Sequence, residues 1–258
     1  MVKIHLNCVE KLANSPLLAA FPALFSQIFP HFSFATYSCK ALRTIMTLKP
    51  IQGLYAITDP ALCPNDTLID KVNQAIQGGA KIIQYRDKTQ PFAVQKAMAH
   101  KLAKLCKQHN VLFIVNDSIE LAQYSQADGI HLGKDDSAIQ AARVALGEQA
   151  IIGISCYNSL ERAQQMQNLG ADYVAFGRFF PSKTKPNAPQ AEIKTLQLAK
   201  QKLKIPLVAI GGINNDNAQQ LLDSGADSIA VIQGIFAQAN IQKSAHNLSN
   251  LFQSDKSL

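Results

Sequence analysis

Eight short apolar segments alternate with amphipathic segments from residue 53 onward, and this alternation predicts an α/β protein folded as a (β/α)8 barrel, the TIM barrel. The apolar segments are rich in Ile, Val and Phe, which is typical of parallel strands buried on both faces. An Ala-Asp pair precedes three of them, at 127–128, 171–172 and 226–227, and indicates a repeated βα unit. A doubly wound open sheet is the alternative, but "AITDPALCP" lacks the glycines of a nucleotide-binding turn.

The strands follow one another at regular spacing along the chain. Between them, segments such as "TLIDKVNQAIQGG" and "PFAVQKAMAHKLAKLCKQHN" have helical periodicity, and several end on Gly or Asn, as helix C-termini do. The predicted strands are 53–59, 81–87, 111–117, 129–133, 151–157, 173–180, 207–213 and 228–236.

The first 45 residues differ from the rest of the chain. They are apolar but interrupted by three prolines, and they lack the compact basic start and continuous apolar stretch of a signal peptide. We expect an irregular N-terminal extension over 1–45, disordered or produced by an over-extended start site with Met46 as the true first residue, and a single barrel domain over 46–258. A segment that docks on a membrane surface or a partner is the alternative.

The composition limits the kinds of ligand and partner that the protein is expected to bind. The formal charge is +7, but no long Lys/Arg run interleaves with aromatic residues, so a small anionic ligand is favoured over nucleic acid. The five cysteines are odd in number and lack metal-ligand spacing, which is typical of a reduced, cytoplasmic protein. No apolar run is long enough to cross a membrane. The sequence is compatible with an oligomer.

Polar side chains stand where the predicted strands end, which is where barrels place their functional groups. After the apolar start of the second strand, Gln84, Arg86 and Lys88 occupy alternate positions and therefore share one face. A guanidinium fork and an ammonium both suit phosphate oxygens. For Arg86 or Asp87 alone, an ordinary surface ion pair is the alternative interpretation.

Carboxylates follow the third and fourth strands. Asp117 comes after one strand, and Asp135 and Asp136 come after the next. Mg²⁺ takes one or two protein carboxylates together with substrate phosphates, so these residues predict a magnesium site. The alternative for Asp117 is to cap the following helix. His131 is interpreted as a satisfied core histidine and Cys156 as a buried structural residue.

Glycines follow the seventh strand. Gly211 and Gly212 leave backbone N–H groups open to a phosphate, at a position where barrels often bind one. The ends of the strands are therefore predicted to hold two phosphorylated groups, one with a metal and one without.

The chain resembles the thiamine-phosphate synthase family from about residue 53 to its C-terminus. The resemblance rests on "QYRDK", "VNDS", "ADGIHLGKDD", "ISCYN", "FGRFFPSKTKPNAP", "AIGGI" and "AVIQGIF", in that order. It implies a Mg²⁺-dependent transferase of thiamine biosynthesis with one ion per subunit. Such an enzyme joins hydroxymethylpyrimidine diphosphate to thiazole phosphate through a pyrimidine-stabilised carbocation, and it releases pyrophosphate.

The resemblance also implies a role for each matching residue. Arg86, Lys88, Ser155 and Lys185 would be catalytic, and Asp117 and Asp136 would bind the metal. The residues implied for the pyrimidine diphosphate are Gln84, Tyr85, Arg86, Asp87, Lys88, Asn116, Ser155 and Lys185. Those implied for the thiazole phosphate are Ser182, Lys183, Thr184, Gly212, Ile232 and Gln233.

Two positions depart from the family pattern. Gln233 stands where the family often has Ser, and "SCYN" replaces Ser-Ala-His, so no role of that histidine passes to Tyr157. Three other functions are weighed against the synthase. They are a thiazole tautomerase on a similar barrel, a phosphate-binding barrel of the indole-glycerol-phosphate synthase type, and a catalytically silent barrel. The first needs neither a diphosphate clamp nor paired aspartates, and the second needs a Glu within the strands that is not seen.

Overall fold

The computed structural model describes residues 50–133, 138–181 and 190–253, which form a closed barrel of eight parallel strands in chain order. The predicted (β/α)8 barrel is confirmed, whereas the extension over 1–45 lies outside the described residues. The strands are β1 (Gly53–Ile57), β2 (Ile82–Tyr85), β3 (Leu112–Asn116), β4 (Gly129–Leu132), β5 (Ile151–Tyr157), β6 (Tyr173–Phe176), β7 (Leu207–Ile210) and β8 (Ser228–Val231).

Helices follow the strands and cover the outside of the barrel. No helix in the described part of the chain is both long and apolar enough to cross a membrane. The helices are α1 (Leu68–Gln77), α2 (Phe92–Gln108), α3 (Ile119–Ser125), α4 (Ala138–Leu146), α5 (Leu160–Asn168), α6 (Ile193–Lys202), α7 (Ala218–Asp223), α8 (Gln233–Phe236) and α9 (Ile241–Asn250).

Alternate residues of each strand face opposite sides of the barrel wall. Side chains such as Tyr55, Ile114 and Tyr173 belong to a small cluster that fills the barrel interior. Their neighbours, such as Leu54 and Val174, belong to the larger cluster between the strands and the helices. Both faces are therefore buried, which explains the nearly continuous apolar strand sequences.

The described cysteines belong to the buried core. Cys63, Cys106 and Cys156 are all buried, and none of them forms a disulfide within the described ranges. Cys156 lies in the outer cluster, as expected for a structural residue.

Most of the predicted strands extend beyond the observed ones, and the sixth and eighth do so by the most residues. The sixth strand ends at Phe176, because Gly177 turns the chain with φ +155°. The eighth ends at Val231, and the apolar residues that follow form α8, in which Ile235 and Phe236 are buried. A short apolar run has the same appearance whether a strand or a helix buries it, so the sequence did not mark this boundary.

The repeated Ala-Asp pairs tie adjacent strands together at their starts. The Asp128 carboxylate accepts a hydrogen bond from the Phe113 N–H (2.8 Å), and its own N–H donates to the Phe113 carbonyl (2.9 Å). Asp172 forms the same double link with Ile152. These aspartates precede β4 and β6 and hold β3 and β5.

A third aspartate extends the pattern to the last strand pair. Asp227, which precedes β8, accepts from the Leu207 N–H at the start of β7 (2.9 Å) and donates back to the Leu207 carbonyl (2.9 Å). In the first pair, Lys81 makes only the backbone link, to the Leu54 carbonyl (2.9 Å). The Ala-Asp pairs therefore recur at every second strand, before β4, β6 and β8. The repeated unit contains two strands rather than the single βα unit that the sequence suggested.

Replacing Asp172 with Ala is expected to lower the free energy of unfolding by about 2 kcal/mol. The substitution removes the acceptor of the Ile152 N–H and of the Arg143 guanidinium, which lies 2.9 Å from the carboxylate. Urea denaturation followed by circular dichroism measures the change. The matched control is Asp223→Ala, because the Asp223 carboxylate accepts an exposed bond from Gln219 on the same helix. Equal losses of stability in the two variants would contradict the structural role of the repeat.

Candidate active site

A cavity of about 510 Å³ opens at the carboxyl ends of the strands. Its walls come from the residues that end or follow the strands, and its floor comes from inward-facing residues such as Tyr55 and Tyr173. Ten predicted site residues line it, namely Gln84, Arg86, Lys88, Asn116, Asp117, Ser155, Gly211, Gly212, Ile232 and Gln233. Six other predicted residues lie outside the described ranges, namely Asp135, Asp136, Ser182, Lys183, Thr184 and Lys185.

The end of β2 carries the predicted cations into the cavity. Gln84, Arg86 and Lys88 all line it, although β2 itself ends at Tyr85. The Arg86 backbone is held by its N–H, which donates to the buried Thr58 hydroxyl at the end of β1 (2.9 Å). No hydrogen bond or ion pair within the described ranges engages the Arg86 guanidinium, so the surface ion-pair alternative finds no partner there.

Tyr85 and Asp87 do not line the cavity. Tyr85 is 2% exposed in the outer cluster, and its hydroxyl has no hydrogen-bond partner within the described chain. Burial, with a smaller contribution from the Asp87 charge, raises the pKa of this phenol. Asp87 instead accepts the N–H groups of Thr89 (2.8 Å) and Gln90 (3.2 Å), which shapes the turn after β2. The positions of these two residues do not support their expected contacts with a pyrimidine diphosphate.

Asp117 faces the cavity beside Lys88. Its carboxylate lies 2.8 Å from the Lys88 Nζ and accepts a hydrogen bond from the Asn116 side chain (2.8 Å). The side chains of Lys88 and Asp117 are 58% and 44% exposed, so the pair contributes little stability and can separate to meet a charged ligand. The capping alternative for Asp117 is wrong, because Ser118 caps α3 by accepting the Leu121 N–H (3.1 Å).

The carboxylate of Asp117 suits a hard cation. Among the described residues that line the cavity it is the one acidic side chain, and the same ranges contain no group of three or more potential metal ligands. A Mg²⁺ ion completes its shell with phosphate oxygens and water rather than with a protein cage. The donor chemistry of Asp117 therefore fits an ion that arrives together with a phosphorylated ligand.

A chain of hydrogen bonds crosses the floor of the cavity. The Gln84 Nε2 donates to the Tyr55 hydroxyl (2.7 Å), which lies 2.9 Å from the Tyr173 hydroxyl. The Tyr173 hydroxyl lies 3.0 Å from the His131 Nδ1, and the His131 Nε2 lies 2.9 Å from the Ser155 Oγ. We call these five residues the floor chain. His131 is thus a satisfied histidine as expected, but it is half-buried and lines the cavity rather than the core.

The floor chain depends on close packing within the barrel. A Cβ at Gly153 would lie 1.9 Å from the Tyr173 Cζ, so only glycine leaves room for this phenol. Burial raises the pKa of the Tyr55 and Tyr173 hydroxyls, so both keep their protons.

The opposite side of the cavity presents backbone rather than charge. Gly211 and Gly212 follow β7 with φ +104° and +67°, and a Cβ on Gly212 would lie 2.4 Å from the Pro181 carbonyl oxygen. Ile232 and Gln233 line the same side, and α8 begins at Gln233. The first N–H groups of a helix lack intrahelical partners and favour an anion.

Several residues that line the cavity were given no site role from the sequence, among them Tyr55, His131, Tyr173 and Arg178. The sequence did contain a sign of the two tyrosines, because each occupies an inward-facing position in an otherwise apolar strand. A buried phenol needs a hydrogen-bond partner, so an inward tyrosine predicts a polar interior. Arg178 carried no signal, since it lies within the segment assigned to the sixth strand.

Comparison with known proteins relates the chain to one family. A family model described as thiamine monophosphate synthase matches residues 54–235. The thiamine-phosphate synthase of Alcanivorax borkumensis is 47% identical over 215 residues, which are 82% of this chain and 99% of that protein. The thiamine-phosphate synthase of Nitrosococcus oceani is 49% identical over 195 residues, which are 76% of this chain and 90% of that protein.

A solved structure supports the same relationship. The thiamine phosphate pyrophosphorylase from Pyrococcus furiosus superposes with a TM-score of 0.73 at 35% sequence identity, covering 84% of this chain and 100% of that one. The agreement of the family model, the close relatives and the barrel geometry leads to one conclusion: the chain belongs to the thiamine monophosphate synthase family.

Proposed function

We propose that this protein is a thiamine-phosphate synthase, an enzyme that joins hydroxymethylpyrimidine diphosphate to thiazole phosphate. The thiazole nitrogen forms a bond to the methylene carbon of the pyrimidine, and the bond from that carbon to the diphosphate oxygen breaks. The products are thiamine phosphate and pyrophosphate. The observation that carries the proposal is one cavity with a cationic wall at Arg86 and Lys88 and a backbone wall at Gly212.

The cationic wall is suited to the leaving diphosphate. Arg86 offers a planar fork of donors and Lys88 a point charge, and both stabilise the negative charge that develops as the bond breaks. Gln84, Asn116 and Ser155 line the same cavity and are assigned to the pyrimidine diphosphate. Lys185 is assigned to the diphosphate by family resemblance alone.

We assign one Mg²⁺ per subunit to Asp117 and Asp136. Held by these carboxylates, the ion would neutralise negative charge on the diphosphate. Asp117 offers a carboxylate at the cavity, and its partly exposed pair with Lys88 allows both charges to turn to the ligand when it binds. Asp136 is assigned by family resemblance.

The backbone wall is suited to the second phosphate. The Gly212 N–H donates to no group in the described structure, and Gly212, Ile232 and Gln233 all line the cavity. This contact uses the backbone, so Gln233 serves there whether or not its side chain matches the serine common in the family. Ser182, Lys183 and Thr184 are assigned to the same phosphate by resemblance.

A dissociative path agrees with this arrangement, because it requires stabilised charge rather than a protein nucleophile. The relatives reported above are named synthases, and the tautomerase, the indole-glycerol-phosphate synthase type and the silent barrel receive no support from them. The three described cysteines are buried and form no disulfide with one another, which supports a location in the cytoplasm. The ligands are small phosphorylated molecules.

The first test is formation of thiamine phosphate by the purified protein given both phosphorylated substrates. Product and pyrophosphate are expected with Mg²⁺ and are expected to disappear with EDTA. Asp117→Asn is expected to raise the Mg²⁺ concentration for half-maximal rate by about tenfold, because a ligand charge is lost. Asp223→Asn on α7 is the control and is expected to leave the Mg²⁺ response unchanged. Product formation that EDTA does not affect would contradict the metal assignment.

Arg86→Ala and Lys88→Ala are each expected to lower kcat by about 100-fold, since each removes a donor to the developing charge. Circular dichroism is expected to show intact barrels, because both side chains face the cavity. Lys96→Ala is the matched control. Its ammonium lies over the Phe92 and Tyr124 rings, outside the cavity, and its removal is expected to leave kcat unchanged. Near-normal turnover in both cavity variants would reject the cationic wall as the diphosphate site.

A further inference from the structure

We propose that Tyr55, Tyr173 and His131 act as positioning residues that fix the Ser155 hydroxyl as a hydrogen-bond donor to the pyrimidine diphosphate. The inference deepens the proposed function and rests on it for the identity of the ligand. It starts from the floor chain, in which each polar group has a partner within hydrogen-bond distance.

The direction of the protons follows from the buried end of the chain. Tyr55 is 1% exposed, and its hydroxyl has two partners in the described structure, the Gln84 Nε2 and the Tyr173 hydroxyl. The amide nitrogen is a donor, so the Tyr55 proton has one acceptor left, the Tyr173 oxygen. A buried hydroxyl without an acceptor is costly, so this bond is kept.

The direction of the protons extends from Tyr173 to His131 for the same reason. Tyr173 is fully buried and accepts from Tyr55, so its own proton is donated to the His131 Nδ1. A neutral imidazole with an accepting Nδ1 carries its proton on Nε2. The His131 Nε2 then donates to the Ser155 Oγ at 2.9 Å.

Ser155 therefore receives a hydrogen bond from the protein and keeps its own proton for the cavity. Its side chain lines the cavity, and no other described group accepts from it. A ligand atom with a lone pair, on the pyrimidine ring or the diphosphate ester, is the matching acceptor. The barrel thus presents a hydroxyl of fixed polarity to the substrate.

The opposite proton direction along the floor chain would give Ser155 a different chemical role. If the Gln84 amide were turned over, Tyr55 would donate to its carbonyl, His131 would carry the proton on Nδ1, and Ser155 would donate to Nε2. A serine that donates to a histidine is arranged as an activated nucleophile. The Gln84 amide nitrogen lies toward the Tyr55 hydroxyl, which favours the first direction, and the two directions predict opposite tautomers of His131.

Nitrogen NMR of the full-length protein, labelled with ¹⁵N-histidine at pH 8, distinguishes the directions without a substrate. This pH lies above the ordinary histidine pKa of about 6.5, so tautomers rather than charge states are compared. The chain has six histidines, and His131→Gln identifies the signal of interest by its loss. Protonation at Nε2 is expected in the wild type, and a mixture of tautomers in Tyr173→Phe. Protonation at Nδ1 in the wild type would overturn the proposal. So would a His131 tautomer that is the same in the wild type and in Tyr173→Phe.

Kinetics then tests whether the floor chain acts through Ser155. Tyr173→Phe keeps the ring and is expected to lower kcat/KM for the pyrimidine diphosphate about tenfold. In a Ser155→Ala background the same change is expected to cost less than about twofold, because residues that act through one another are not additive. Ser155→Thr retains a hydroxyl and is expected to restore part of the loss seen with Ala. An equal tenfold loss in both backgrounds would overturn the proposal.

Tyr124→Phe is the matched control in both backgrounds. Tyr124 is 51% exposed on α3, outside the cavity, so removal of its hydroxyl is expected to leave kcat/KM unchanged. Failure of the proposed function is separable from failure of this inference. If the wild type forms no thiamine phosphate, the proposed function is rejected, and the tautomer of His131 alone decides the direction of the floor chain.

Discussion

Pairing between β8 and β1 closes the barrel, and the rest of the structure depends on that closure. The seam is registered by Gly53 opposite Ser228, and the buried Ser228 hydroxyl donates to the Gly53 carbonyl (2.7 Å). A closed parallel sheet leaves no edge, and it gathers all eight carboxyl ends at one mouth. Residues far apart in sequence, such as Arg86 and Gly212, meet in one cavity for this reason alone.

Charged residues stabilise the fold at the amino ends of the strands and line the cavity at the carboxyl ends. At the amino ends, Asp128, Asp172 and Asp227 use their carboxylates to accept N–H groups of the preceding strands, so their charges serve the fold. At the carboxyl ends, Lys88 and Asp117 form an exposed pair that contributes little and can be exchanged for ligand charges. The same residue types thus have opposite roles at the two ends, because burial and partners differ there.

Between these ends, the interior of the barrel is more polar than its strands suggest. The floor chain joins β1, β2, β4, β5 and β6 through side chains that a purely apolar core would not need. Such a network is stable only when its polar groups are satisfied, and here each of the five residues has a hydrogen-bond partner. The floor therefore combines close packing with a continuous chain of hydrogen bonds below the cavity.

The sequence by itself determined the barrel, the order of its strands, and the side chains that stand at the strand ends. Periodicity and strand-end position are local properties, so Gln84, Arg86, Lys88 and Asp117 could be named from spacing alone. Only the tertiary structure showed that Tyr85 and Asp87 do not line the cavity, that Ser118 rather than Asp117 caps α3, and that His131 joins Tyr173 to Ser155. These facts depend on which strands become neighbours when the sheet closes, and contacts between residues such as Tyr55 and Tyr173, which lie 118 positions apart, leave no local trace in the chain.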